Sequence, residues 1–296
     1  MWQRLIRFVA AEDGRIHYGQ PCDPHVDVGV ATASPGSKLA AFDIIGDVLS
    51  PSCRVTKRKL TVKRLLTPLS REQVGLARML GLNYRKHAAE ANMTEPKYPV
   101  LFYKPVTALI GAGDTITIPK VCQPVEHHLP DFEVELTIVI GKPCKNVSEE
   151  EALDYVLGYS LGNDVSFRYH QLAVSQWSFS KGFDDATPWG PCIVNSSLIP
   201  DPQVLKVKSV VNGEVLQDST TADQIFSVRK TIAFLSQGTT LLPGSIIMTG
   251  TPEGVGFVRK PPIFLKNGDK IEQHISGGIG TLLNTVVEEG KEKAKL

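Results

Sequence analysis

The stretch DFEVELTIVIG, Asp131–Gly141, decides how the rest of the chain is read. At a period of two, Asp131, Glu133, Glu135 and Thr137 point to one side of a strand while Phe132, Val134, Leu136 and Ile138 point to the other. Three carboxylates in a row on one strand face repel each other, so they are tolerable only in water or around a cation. Two readings are open from this segment alone. One is a solvated edge strand whose charges discourage edge-to-edge pairing. The other is a site for a hard divalent ion such as Mg2+, which takes oxygen ligands in near-octahedral geometry and can share neighbouring glutamates on a rigid strand.

Segments on either side favour the second reading. In GYSLGNDVSFRYHQ, Gly158–Gln171, Asp164 falls in a short β or turn segment. It supplies a third oxygen ligand to Glu133 and Glu135, and Mg2+ keeps some waters and needs no full protein cage. In GLNYRKHAAEANM, Gly81–Met93, the alanines favour a helix that stops near Thr94-Glu95-Pro96. His87 and Glu90, three apart, share a face of that helix and can hydrogen-bond. A carboxylate that holds a histidine sets its tautomer and raises its basicity, which prepares the imidazole to take a proton from water. Lys181, in WSFSKGFDDATPWGP (Trp177–Pro191), follows aromatic residues and precedes Asp184 and Asp185, a mixture that suits a water-excluding anion site. Lys104, in Phe102–Lys120, has apolar neighbours; it either lines a pocket or snorkels to solvent. Ser245–Gly256, SIIMTGTPEGVG, reads as a buried strand entering a Gly-rich loop that offers N–H groups and the Thr251 hydroxyl to anionic ligand atoms.

Composition bounds the class. In 296 residues, 32 Lys and Arg face 31 Asp and Glu, and a balance so close to neutral argues against a dedicated nucleic-acid or membrane-surface protein. No apolar run approaches a membrane span. Five scattered cysteines without CxxC spacing read as reduced thiols of an intracellular protein rather than a disulfide framework or zinc site. Cytosol is the expected location. Mitochondrion is the alternative, because Arg4 and Arg7 precede the first acid, Glu12.

The remaining pattern predicts a small β-rich N-terminal domain over residues 1–70, with strand-like runs at Leu5–Ala10, Val26–Val30 and Arg54–Leu66 and a turn at Pro35-Gly36. Lys57, Arg58, Lys59, Lys63 and Arg64 read as a solvated strand face. Residues 71–296 form the second domain. It opens with a capping box at Ser70–Gln73 and includes a helix from Ser148 to about Leu157 ended by Gly158. A hairpin is expected at Asn212-Gly213 and a helix over Ile225–Ser236. His127 and His128, adjacent and unable to face one way on a strand, are read as loop residues. The charged tail, Glu288–Leu296, is expected to fray.

Taken together, GLNYRKHAAE, FYKP, DFEVELTIVIGK, EEEALDYVLGYSLGNDVS, FSKGFDDATPWGP, VNGEVLQDS, TGTPEGVG and RKPPIFLKNGD resemble the fumarylacetoacetate hydrolase family in order and spacing, over roughly residues 75–285. The resemblance implies a mostly β fold with some α, a mixed β-sandwich roll around a metal site preceded by a small N-terminal domain, usually as a homodimer. It implies Mg2+, Mn2+ or Ca2+ on Glu133, Glu135 and Asp164, and His87 with Glu90 as the acid–base pair on a lid segment. It also implies Lys181 as the active-site lysine, with Thr251 and Arg168 at substrate. The implied substrates are 2-oxo acids and 1,3-dicarbonyls. C–C hydrolysis of an acylpyruvate-like compound is the leading expectation, with oxaloacetate tautomerisation or decarboxylation, a fungal tailoring reaction, and a catalytically silent binding protein as alternatives. Phe167, Trp189 and Ser245 depart from the family pattern, and the two aromatics are expected to reshape the pocket.

Overall fold

The computed structural model describes residues 1–34, 36 and 39–291. Pro35 of the expected turn and residues 292–296 of the expected tail lie outside them. An eleven-stranded sheet forms the larger layer. Along it run Ile16–Pro21, Ala40–Ile45, Arg54–Leu65, Arg4–Ala10, Thr187–Asn195, Val156–Asn163, Val134–Ile140, Ile246–Met248, Ala77–Gly81 and Val100–Lys104, and Leu109–Ile110 pairs with Thr187–Asn195. A five-stranded sheet (Glu214–Thr220, Lys206–Val211, Lys270–Ile275, Gly280–Glu288, Thr115–Ile118) packs against it, and Ser166–Phe167 pairs with Pro130–Asp131. The N-terminal strands join the large sheet edge to edge, since Arg4 and Leu5 pair with Val194 and Ile193.

The carboxylate strand lies inside this sheet. Val134–Ile140 is bonded to Val156–Asn163 on one side and Ile246–Met248 on the other, and every residue of it is buried. It is therefore no solvated edge. Val134, Leu136, Ile138 and Ile140 enter one hydrophobic cluster, while Val139 enters a second with Trp2, Met79 and Met248. Burial of both faces leaves Glu135 and Thr137 on the second face without bulk water, and that makes their surroundings decisive.

Local rules account for several elements. Ser70 caps Arg71–Val74 through the full capping box with Gln73. Asn212 and Gly213 adopt φ of 52° and 86°, as a type I′ hairpin between Lys206–Val211 and Glu214–Thr220 requires. Ser227 caps Val228–Leu235, whose Val228, Thr231, Ile232 and Leu235 are buried on one face. All five cysteines are free, and His127 and His128 lie in a loop. Lys57, Arg58, Lys59, Lys63 and Arg64 form an exposed face of Arg54–Leu65.

Two expectations fail. Val28–Ala33 is a helix rather than a strand, because Asp27 accepts the Gly29 and Val30 N–H groups and nucleates the turn. The helix expected from Ser148 to Leu157 shrinks to a single 3-10 turn, Ala152–Tyr155. Leu157 and Gly158 belong to the following strand, Val156–Asn163, where a Cβ at Gly158 would lie 2.3 Å from Val194 O. Gly158 permits sheet packing there; it does not end a helix.

Candidate active site and metal centre

One oxygen of each of Glu133, Glu135 and Asp164 falls within 4.8 Å of the others, and all three residues are buried. The central strand carries Glu135, and Glu133 immediately precedes it. Asp164 follows the end of the neighbouring strand, and its N–H donates to Glu133 O at 2.9 Å. The antiparallel pairing of Val134 with Asn163 thus sets the distance between the two glutamates and the aspartate.

Fixed cations meet two of these carboxylates. Lys181 Nζ donates to Glu133 Oε2 at 2.9 Å and to Asp164 Oδ2 at 2.7 Å. Arg168 Nη2 lies 2.7 Å from Glu133 Oε1 and 2.8 Å from Asp131 Oδ2. Lys104 Nζ donates to Asp164 Oδ1 at 2.9 Å and to Ala186 O at 2.8 Å. Glu135 differs. Its Oε2 accepts the Gly250 N–H at 2.7 Å, and its buried Oε1 has no hydrogen-bond partner among the described residues. Burial and the charges of Asp164 and Glu133 push the Glu135 carboxyl well above the usual range. Burial also acts to raise Glu133, but Lys181 and Arg168 outweigh it and hold that carboxyl below the usual range. Lys181 is held up against its own desolvation by Asp164 and Glu133. An all-oxygen donor set with an orphaned, desolvated carboxylate oxygen fits a hard divalent cation.

The cavity beside this cluster has a volume of about 330 Å³. His87, Glu133, Arg168, Lys181 and Thr251 line it. His87 sits on the helix Arg85–Glu90, with Nδ1 2.7 Å from Glu90 Oε1. The helix is shorter than the sequence suggests; Asn92, at φ 52°, turns the chain away before Thr94. Both Glu90 oxygens accept the Gly254 N–H, at 3.1 and 2.9 Å, so the glycine-rich loop after Ile246–Met248 fixes the carboxylate that fixes the histidine. An ionised carboxylate only accepts, so the contact favours the tautomer of a neutral imidazole with the proton on Nδ1 and the lone pair on Nε2. Thr251 Oγ1 accepts from Gln217 Nε2 at 2.8 Å.

Some side chains stand elsewhere than expected. Lys104 neither lines the cavity nor reaches solvent; it is wholly buried behind Asp164, held by that carboxylate and two carbonyls because any other position would strand its charge. Asp131 is separate from the three-oxygen cluster. It takes the Phe132, Gly256 and Phe257 N–H groups and the Arg168 guanidinium instead. Phe167 and Trp189 are fully buried in two different core clusters and absent from the cavity wall, so they do not shape it directly. The sequence reading put Asp131 on the carboxylate face without foreseeing its pairing with Arg168, and it missed Gln217, which holds Thr251, and the apolar wall residues Trp177, Leu172 and Phe257.

Comparison with known proteins accords with this geometry. The family model "Fumarylacetoacetate (FAA) hydrolase C-terminal" matches residues 78–287. A caffeoylpyruvate hydrolase of Neonothopanus nambi is 56% identical over 290 residues, covering 97% of this chain and 94% of that protein. The mitochondrial oxaloacetate tautomerase fahd2 of Xenopus laevis is 40% identical over 225 residues, covering 75% and 68% respectively. A solved structure of 2-hydroxyhepta-2,4-diene-1,7-dioate isomerase from Mycobacterium marinum superposes with a TM-score of 0.80 at 35% identity, covering 98% of this chain and all of that one. The chain belongs to the fumarylacetoacetate hydrolase family and is an enzyme of that divalent-metal-dependent group.

Proposed function

We propose that the protein hydrolyses the C–C bond that joins the acyl carbonyl carbon of an acylpyruvate to its methylene, with Mg2+ held by Glu133, Glu135 and Asp164. The observation that carries this reading is the convergence on one cavity of a carboxylate-fixed imidazole, His87, and the buried three-carboxylate cluster. Such an ion, when bound, supplies Lewis acidity to the keto oxygens and counter-charge to the enolate. His87 Nε2 takes a proton from water, which adds to the acyl carbonyl carbon. The C–C bond then breaks, its electron pair passes to the pyruvyl fragment as an enolate, and that carbon is reprotonated. The products are a carboxylic acid and pyruvate. A positioned base of this kind contributes about 10² to 10⁴ in rate. Arg168, Lys181 and Thr251 hold the anionic end of the substrate.

The 56% identity to a caffeoylpyruvate hydrolase over nearly the whole chain favours hydrolysis. Identity to oxaloacetate tautomerases supports a second reading, in which His87 only moves a proton between carbon and oxygen. Incubation of the Mg2+-loaded enzyme with acetylpyruvate and with oxaloacetate separates them. Hydrolysis yields acetate and pyruvate; tautomerisation changes the enol absorbance of oxaloacetate without new acids; tautomerisation alone would favour the second reading, and the absence of both changes would contradict the proposal. The proposal extends to a cytosolic homodimer. The exposed apolar side chains of Val125, Val174 and Phe179 are surface that a second copy would cover, and light scattering measures the mass. No helix among the described residues is long and apolar enough to cross a membrane.

A further inference from the structure

The cavity is chemically divided. Its ionisable wall residues are His87, Glu133, Arg168 and Lys181. Arg168 and Lys181 both contact Glu133, so these charges gather at the carboxylate end. Apart from Gln171 and Thr251 the rest of the wall, including Trp177, Leu172, Met93, Val255, Phe257 and Val258, is apolar, and the Lys181 ammonium 5.9 Å from the centroid of the Trp177 ring is already bound by Glu133 and Asp164. An acylpyruvate has the same division, an anionic dicarbonyl head and an acyl tail. A tail that ended in a carboxylate would be desolvated on this wall without a partner.

Trp177 is the largest side chain of the apolar wall, and its position depends on one glycine. A Cβ built at Gly81 would stand 2.2 Å from Cζ3 and 2.9 Å from Cη2 of the indole. The ring is therefore seated on bare backbone of the strand Ala77–Gly81. Phe102 meets it edge-on with centroids 5.6 Å apart. Trp177 O accepts the Lys181 N–H at 3.0 Å, so the tryptophan and the lysine that contacts Glu133 and Asp164 belong to one tight turn. The half-buried ring lines the cavity next to the polar end, within reach of a group attached to the substrate's carbonyl.

We propose that Trp177, seated on Gly81, is the specificity-determining residue of this site, and that the substrate tail lying on it is uncharged and aromatic or comparably bulky. This rests on the acylpyruvate reading above and narrows it. The tail packs on the indole face, and because the Lys181 ammonium near that ring is already taken by Glu133 and Asp164, the described lining residues offer an acidic tail no free cation.

The test compares kcat/KM of the Mg2+-loaded wild type, Trp177→Ala and Gly81→Ala on three substrates with one head. These are benzoylpyruvate, acetylpyruvate and succinylpyruvate, with aryl, methyl and carboxylate-ended tails. The wild type should prefer benzoylpyruvate over acetylpyruvate by about tenfold or more, with succinylpyruvate last. Trp177→Ala should lose about tenfold or more on benzoylpyruvate, chiefly in KM, and distinctly less on acetylpyruvate, so that the preference for the aryl substrate falls. Gly81→Ala should imitate it by displacing the ring; if that variant does not fold, Trp177→Ala alone decides. A wild type that cleaves acetylpyruvate without preferring the aryl substrate overturns the tail assignment and leaves the reaction standing. An equal loss on both substrates in Trp177→Ala overturns it too. Cleavage of none of the three removes the reaction and the tail assignment together.

Discussion

Lys104 Nζ lies 2.9 Å from Asp164 Oδ1, and neither side chain is exposed to solvent. Burial pulls the lysine's pKa down, and the contact with Asp164 opposes that pull. Lys104 lies directly behind the three-carboxylate cluster and holds Asp164 in one orientation. Removal of one partner from a buried pair leaves an uncompensated charge, which costs about 3–5 kcal/mol. Lys104→Met is expected to lower the unfolding free energy of the metal-free protein by about that amount. Urea unfolding measures it, and a loss below about 1 kcal/mol would contradict the assigned role.

Glu135 should behave in the opposite sense. Its Oε1 has no partner and two other carboxylates stand beside it, so in the metal-free protein it is a local source of instability. The near-isosteric Glu135→Gln cannot ionise and still offers an oxygen to the Gly250 N–H. The metal-free variant is expected to melt at or above the wild-type temperature, and the rise in melting temperature on adding Mg2+ or Mn2+ should vanish. A clear destabilisation of the metal-free variant would contradict this account.

The His87–Glu90 contact makes a graded prediction. His87→Ala should lower kcat by about 10² to 10⁴ while metal content stays unchanged. Glu90→Gln keeps the fold but offers an amide where the Gly254 N–H and His87 both need an acceptor. It should reduce kcat by less than His87→Ala does, and combining the two should add little, because both act through one proton transfer. Additive losses would mean that Glu90 works independently of the histidine.

The thiols offer a check on the packing. Burial pushes the Cys122 thiol up to about 12, so at pH 8 only about one molecule in ten thousand carries the thiolate there. Cys53, Cys144 and Cys192 are also buried and raised; Cys22 is raised as well but is partly accessible. Brief iodoacetamide treatment of the folded protein at pH 8 is expected to label Cys22 first, with all five labelled after unfolding. Mass spectrometry of the peptides reads the order, and early labelling of Cys122 would be inconsistent with its place beside Phe132 and Ile118 in the core.

The elements legible in the sequence were those set by neighbours in the chain. The Asn212-Gly213 turn, the Ser70 capping box and the apolar spacing of Val228–Leu235 depend on a few adjacent residues, and each appears where the pattern puts it. The gathering of Glu133, Glu135 and Asp164 was legible as well, because the first two alternate correctly and the third follows a strand that pairs with theirs. What escaped depends on distant partners. Nothing near Lys104 reveals that Asp164 and Ala186 O wait for its ammonium sixty and eighty-two residues away. Asp131 has the same period as the two glutamates, yet Arg168 and the Gly256 and Phe257 N–H groups claim it. Gly158 resembled a helix stop because its real constraint, Val194 O on an adjacent strand, is invisible in one dimension.

The central claim is that Glu133, Glu135 and Asp164 together hold one divalent ion. Metal analysis of the wild type after equilibration with Mg2+ or Mn2+ and removal of free ion, beside Glu135→Gln and Asp164→Asn, tests it directly. The account predicts one ion per chain in the wild type and none in either variant. Equal metal in all three, or none in the wild type, would contradict it.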